Sequence, residues 1–322
     1  MVAPGHFNLF YARDFSWCCR HLMELGYEKE VHSTLEYALT RYRRHGRIAV
    51  AIGQNGKPFD FPKEAIDSIP SIIRSLRDAQ AYDLIRRFKG FVEDEARRFH
   101  NQFIDSRTGL VRPGHFSSIK DHYKRHSCCY DNCMAAMLSD DLNSLGLENP
   151  LNAYGYQTLL RDTFYTGRFF REERGTTEVT GDSNVFPFWC GIFNDNGMLE
   201  RCMESIENAG LAKHLPLRYS ASKIRRKTIA ASLLAPGYED DTIWMHIGSV
   251  FLELQEQRSR EHLKSYLDAF TSYIERSGTF LELYQDDGRP FTTLLYVTEE
   301  SMLWASVYLN MRRRYTKKKI SR

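Results

Sequence analysis

One carboxylate near the C-terminal end of the chain stands in unusual company. Glu282 lies in the run Phe280, Leu281, Glu282, Leu283, Tyr284, after a turn at Gly278 and before the turn Asp286, Asp287, Gly288. An acid surrounded by apolar side chains is costly unless its charge is hydrogen-bonded or put to use. Glu282 is therefore a candidate catalytic carboxylate, and proton-transfer chemistry on it requires a partner supplied from elsewhere in the chain.

Three other groups join polar side chains to flat ones. Tyr11, Arg13, Asp14 and Trp17 open the first periodic segment. An arginine beside an aspartate at a helix start offers a fork of donors and paired acceptors, a combination that can hold hydroxyl groups. In Ser118, Ile119, Lys120, Asp121, His122, Tyr123, Lys124 and Arg125 an acid stands among bases, whose charges favour its ionised form. The stretches GDSNVFPFW, 181–189, and GYEDDTIW, 237–244, bring Asp182, Asn184, Trp189, Tyr238, Asp241 and Trp244. Hydroxyl-reading groups beside planar faces suit a sugar ring.

Something must hold these residues, and the apolar periodicity predicts helices. Segments 10–26 and 28–45 follow each other almost without a loop and predict an antiparallel hairpin. The same reading pairs 63–78 with 81–105, 130–145 with 151–166, 184–193 with 197–209, and 241–257 with 260–276, leaving 298–314 as a last, unpaired helix. Strand-like residues appear only in short connectors such as 48–52. The expectation is an all-α chain of about eleven helices. Hairpins whose connecting loops collect aromatic, glycine and acidic residues suggest a closed ring of helices. Six pairs need twelve helices, so one would lie in the irregular region 211–235. A solenoid would show a fixed repeat, and none is present.

Composition narrows the class. With 42% apolar and 26% charged residues and no low-complexity linker, the 322 residues are expected to form one domain, 1–322, ending in a basic tail, 312–322. That tail accounts for most of the net charge of +3, so nothing favours nucleic acid as a partner. No apolar run approaches membrane-spanning length. The first residues carry Arg13 and Asp14 inside their apolar region, unlike a secretory signal, and seven cysteines, two pairs of them adjacent, do not resemble a disulfide framework. A cytoplasmic location is expected. His126, Cys128, Cys129 and Cys133 lack the spacing of a zinc knuckle, and neither a nucleotide-binding glycine motif nor a serine-hydrolase elbow occurs, so no metal or cofactor is expected.

Taken in order, R-D-F near the start, S-x-K-D with a downstream Y-D-N, G-Y-x-x-D-x-I-W and a late L-E-x-Y resemble glycoside hydrolase families 15 and 63 across nearly the whole chain. These are (α/α)6-barrel enzymes that include glucoamylases, amylo-1,6-glucosidases and processing glucosidases. The resemblance implies that Tyr11, Arg13, Asp14 and Trp17 grip the terminal sugar. It maps the proton donor onto Asp121, with Asp131 in reserve, and the water-activating base onto Glu282; Ile119 stands where those families have glycine. It implies a cofactor-free, inverting exo-hydrolase of α-glucosides or α-glucans, with its acid and base roughly 6.5–9.5 Å apart. A sugar epimerase or lyase on the same barrel, using His122, Tyr123 or His246, and a carbohydrate-binding or regulatory protein without turnover are the alternatives. Oligomeric state is not legible.

Overall fold

The computed structural model describes residues 2–5, 7–114, 116–121, 123, 125–221, 235–239 and 241–320, the last three by backbone alone. Eleven helices occur among them: α1 (Ala12–Leu25), α2 (Glu28–His45), α3 (Ser68–Asp78), α4 (Tyr82–Phe103), α5 (Cys129–Ser144), α6 (Tyr156–Phe164), α7 (Gly181–Trp189), α8 (Asn196–Asn208), α9 (Met245–Arg258), α10 (Arg260–Ser277) and α11 (Ala305–Ile320). Local signals end several of them. Gly26 and Gly46 take positive φ, 101° and 91°, and return their N–H groups to the last turns of α1 and α2, a conformation glycine adopts without a Cβ penalty. Asp195 and Ser259 cap α8 and α10 through their side chains.

Burial sorts the helices into two kinds. α2 hides one stripe, Val31, Leu35, Ala38, Leu39 and Tyr42, whereas α5 is buried on every side from Cys129 to Ser139 and α9 from Met245 to Gln255. A helix apolar on one face belongs to an outer layer, and one buried all round belongs inside. The contacts agree. α1 packs on α3, α3 on α5, α5 on α7, α7 on α9, α9 on α11, and α11 returns to α1, while α2, α4, α6, α8 and α10 each lie against members of that ring.

Two small antiparallel sheets replace some of the expected helix. β1 (Phe10–Tyr11), β2 (Ala51–Ile52) and β3 (Pro58–Phe59) form one; β4 (Ile243–Trp244) and β5 (Leu283–Tyr284) form the other. Pairing of Trp244 with Leu283 draws 243–244 into a strand, so α9 begins at Met245 rather than 241. Likewise 298–304 is loop, and the chain becomes helical only at Ala305. Within the basic tail, 312–320 continues α11 to Ile320, and Arg314 pairs with Glu256 at 3.0 Å. Of the region expected to hide a twelfth helix, 211–221 and Ala235 are turns and bends, and 222–234 lies outside the described residues.

The segment carrying Asp121 has no regular structure and is held by ions instead. Lys120, 1% exposed, donates to Glu172 at 2.8 Å, and Arg125 reaches Glu172 at 3.0 Å and Asp182 at 3.1 Å. Replacing Glu172 with glutamine leaves two buried cations facing a neutral amide, and the expected cost is about 3–5 kcal/mol of unfolding free energy, read from urea denaturation.

Candidate active site

A cavity of about 340 Å³ opens where the N-terminal ends of the ring helices meet their connecting loops. Tyr11, Arg13, Asp14 and Trp17 enter it from β1 and α1, Asp121 from the loop before α5, Tyr238 and Trp244 from the segment before α9, and Glu282 from the loop joining α10 to β5. Residues more than two hundred positions apart in sequence thus share one wall.

Glu282 is 1% exposed, and its main chain is fixed from both sides: its N–H donates to Glu299 O at 2.9 Å and its carbonyl accepts from Met245 N at 3.1 Å. Two phenols bracket its carboxylate. Tyr238 Oη donates to Oε1, and Tyr296 Oη donates to Oε2 at 2.5 Å, with Glu299 N–H adding a bond to Oε2 at 3.2 Å. Burial outweighs these donors and pushes the pKa of Glu282 up to about 7. A carboxylate so placed can take a proton near neutral pH.

Asp121 has a different environment. Its side chain is 26% exposed toward the cavity and accepts from Arg13 Nη2 at 3.0 Å, while its own N–H donates to Glu239 Oε1 at 2.7 Å. Burial raises its pKa; Arg13 opposes that shift without cancelling it. The guanidinium of Arg13 also donates through Nη1 to Asp67 at 3.1 Å and to Ser118 O at 2.8 Å. Arg13 is therefore a strut that ties α1 to the loop bearing Asp121.

Asp14 accepts from Trp304 Nε1 at 3.1 Å, and burial raises its pKa to about 6 despite Arg13. Tyr11 is pushed up to about 12 by burial and then by the neighbouring acids, so its hydroxyl stays protonated. Trp17 lies parallel to His246, centroids 4.8 Å apart, and Trp244 and Trp304 close around the same imidazole. Burial drives the pKa of His246 well down, leaving a neutral ring bonded to Tyr219 at 2.8 Å.

Four residues expected at the site lie elsewhere. Asp182 is fully buried in the ion pair with Arg125. Asn184 uses its amide on the main chain, accepting from Phe170 N at 2.8 Å and donating to Thr180 O at 2.8 Å. Trp189 donates to Glu253 at 3.1 Å in a separate cavity of about 390 Å³, lined with Arg20, Arg74 and Arg77 from the C-terminal halves of α1 and α3. Asp241 is half-buried before β4, outside the lining. Helical geometry explains the first three: the cavity meets the entry to the ring, and α7 carries its polar residues into the packed interior. Asp131 is fully buried behind the wall, where it accepts from Ser118 Oγ, and burial raises its pKa to about 6. Tyr123 is buried away from the lining, and His122 lies outside the described residues. Replacing Trp189 with phenylalanine is expected to leave kcat/KM unchanged while lowering the melting temperature, a pairing that thermal denaturation and steady-state assays check together.

Sequence reasoning passed over Glu239, Tyr296 and Trp304, all of which line the cavity. Glu239 adjoins Tyr238, and three of the four tryptophans reach this cavity; clustering of scarce aromatic types was the available signal. Tyr296, in an irregular loop, had none. Among the described residues, no three His, Cys, Asp or Glu side chains are grouped to share a metal ion, and no helix is long and apolar enough to cross a membrane.

No protein-family model matches the chain, and neither does any curated protein. Solved structures do match. A glycosidase in its wild-type form superposes with a TM-score of 0.71 at 13% identity, over 98% of this chain and 91% of that one. A mannosylglycerate hydrolase of glycoside hydrolase family 63 from Thermus thermophilus, solved with glucose, gives 0.67 at 14% identity, over 98% and 95%. A rhamnosidase from Klebsiella oxytoca with rhamnose bound gives 0.71 at 10% identity over 98% of this chain, which spans 60% of its length. At such identities the likeness is one of fold, extending over nearly the entire chain.

Proposed function

We propose that this chain is a glycoside hydrolase, an inverting exo-enzyme that removes a terminal glucosyl unit from an α-glucoside or α-glucan. The observation that carries the reading is the meeting of Asp121 and Glu282 in one cavity in contrasting surroundings. Asp121, held by Arg13 and open to the cavity, protonates the glycosidic oxygen as the bond breaks. Glu282, buried and bracketed by Tyr238 and Tyr296, takes the proton of the attacking water. Tyr11, Arg13, Asp14, Trp17, Tyr238 and Trp244 line the space where the sugar would sit, with flat faces beside hydroxyl-reading groups.

The cycle of contacts among α1, α3, α5, α7, α9 and α11, with the even-numbered helices outside, reads as the two layers of a single (α/α)6-barrel domain. Fold likeness to glycosidases supports this reading from outside the chain. The glucosyl preference rests on the sequence motifs.

The test is a screen of maltose, isomaltose, trehalose and glycogen for released glucose, with the first-formed anomer followed by NMR. β-Glucose is the expected product. α-Glucose would refute inversion, absence of release from all four would refute cleavage of α-glucans and glucose disaccharides, and absence of release from alkyl α-glucosides as well would refute the glucosidase reading.

A further inference from the structure

Among the described residues nine large apolar side chains face solvent, and five of them sit on two segments that supply walls of the same cavity. Phe59, at the end of β3, and Phe61, in the bend just after it, are 36% and 60% exposed; Leu294, Leu295 and Val297, 98%, 67% and 57% exposed, belong to the hairpin that carries Tyr296. Phe61 and Pro62 line the cavity, as does Tyr296, so both segments border one opening. Phe7 and Val50 continue the apolar wall inward.

The hairpin is shaped to present this surface. Thr292 bridges Val297, and Thr293 N–H donates to Tyr296 O at 2.7 Å, which fixes Leu294 and Leu295 at the tip while the Tyr296 hydroxyl is held by Glu282. An aliphatic pair at a tip adds nothing to the core, and exposed apolar side chains on segments that border a cavity suit a ligand with an apolar part. The chemistry changes along the cavity. Its inner part, Arg13, Asp14, Asp121 and Glu282, matches the hydroxyls of a sugar, whereas Phe7, Val50, Phe61 and Pro62 offer no side-chain hydrogen bond.

Accepting the hydrolase assignment, we infer that the leaving group is a hydrocarbon: the substrate is an alkyl or aryl glycoside whose apolar aglycone lies against Phe7, Phe61 and the 294–297 hairpin. Against Phe7, Val50, Phe61 and Pro62 a glucan chain would lose water from its hydroxyls without gaining a side-chain partner from these four residues.

Octyl and methyl α-glucoside have leaving groups of similar reactivity and differ in apolar length, so they isolate this contact. The octyl compound, kept below its micelle-forming concentration, is expected to show at least about tenfold higher kcat/KM, expressed in KM. Phe61→Ser and the double variant Leu294→Ser, Leu295→Ser should each reduce that preference; the leucine pair is so exposed that its replacement leaves the fold intact. Calorimetric binding of both compounds to Asp121→Asn separates the two readings. Tighter octyl binding without turnover in the wild type sustains the aglycone site and refutes the hydrolase. Turnover of both compounds at equal kcat/KM refutes the aglycone site and leaves the hydrolase standing. Self-association in sedimentation velocity that the double leucine variant abolishes would assign the hairpin to an interface between copies and overturn the inference.

Discussion

Replacing Glu282 with glutamine is expected to lower kcat by about 10²–10⁴-fold with little change in KM, since the amide keeps the shape of the carboxylate, its nitrogen donating to the Tyr238 hydroxyl where the carboxylate accepted from it, but cannot accept a proton from water. The pH dependence gives a sharper form of the same expectation. With its pKa raised to about 7 by burial, Glu282 as the proposed base would be protonated at lower pH, so kcat/KM is expected to fall on the acid side of about pH 7. The hydroxyls of Tyr238 and Tyr296 favour the ionised carboxylate and partly offset burial. Removing one of them, in Tyr296→Phe, raises the pKa further and moves the acid limb to higher pH. A limb that stays in place, or moves to lower pH, assigns the limiting ionisation to another group.

Asp121→Asn is expected to separate substrates by their leaving groups. An alkyl glucoside needs a proton on its departing oxygen, and its turnover falls by about 10²–10⁴-fold. Glucosyl fluoride departs without protonation, so its hydrolysis retains most of the wild-type rate, provided Glu282 still activates water. Equal losses on the two substrates would make Asp121 a positioning residue that anchors Arg13. The contrast matters because Arg13 favours the ionised state of Asp121 while burial favours the protonated one.

These two experiments address a division of labour that the fold imposes. Glu282 sits in a short strand connection between α10 and the loop preceding α11, its main chain fixed against Met245 and Glu299, so it has little freedom. Asp121 depends on distant ions: Lys120 with Glu172, Arg125 with Glu172 and Asp182, and Arg13 with Asp67. In the proposed roles, backbone pairing would give precision to the base and buried charge to the acid. Substitutions in the ion network are therefore expected to disturb proton donation before they disturb the base.

The helices could be read from the sequence because their causes are local. A stripe such as Val31, Leu35, Ala38, Leu39 and Tyr42 repeats at the helical period, and Gly26 and Gly46 end their segments through backbone freedom alone. The oddity of Glu282 was local too, an acid among Phe280, Leu281, Leu283 and Tyr284. Which polar residues would share a cavity was not. Asp182, Asn184 and Trp189 look like sugar-binding residues by type, yet α7 is an inner helix, and the ring's packing turns them toward Arg125, Phe170 and Glu253. The late start of α9 likewise follows from pairing between distant segments, Trp244 with Leu283. Sequence determined the elements and the acid that stands out, because propensity and periodicity act within a few residues. Only tertiary structure decided that acid's neighbours, since the phenols of Tyr238 and Tyr296 and the guanidinium beside Asp121 arrive from separate turns of the chain and meet when the ring closes.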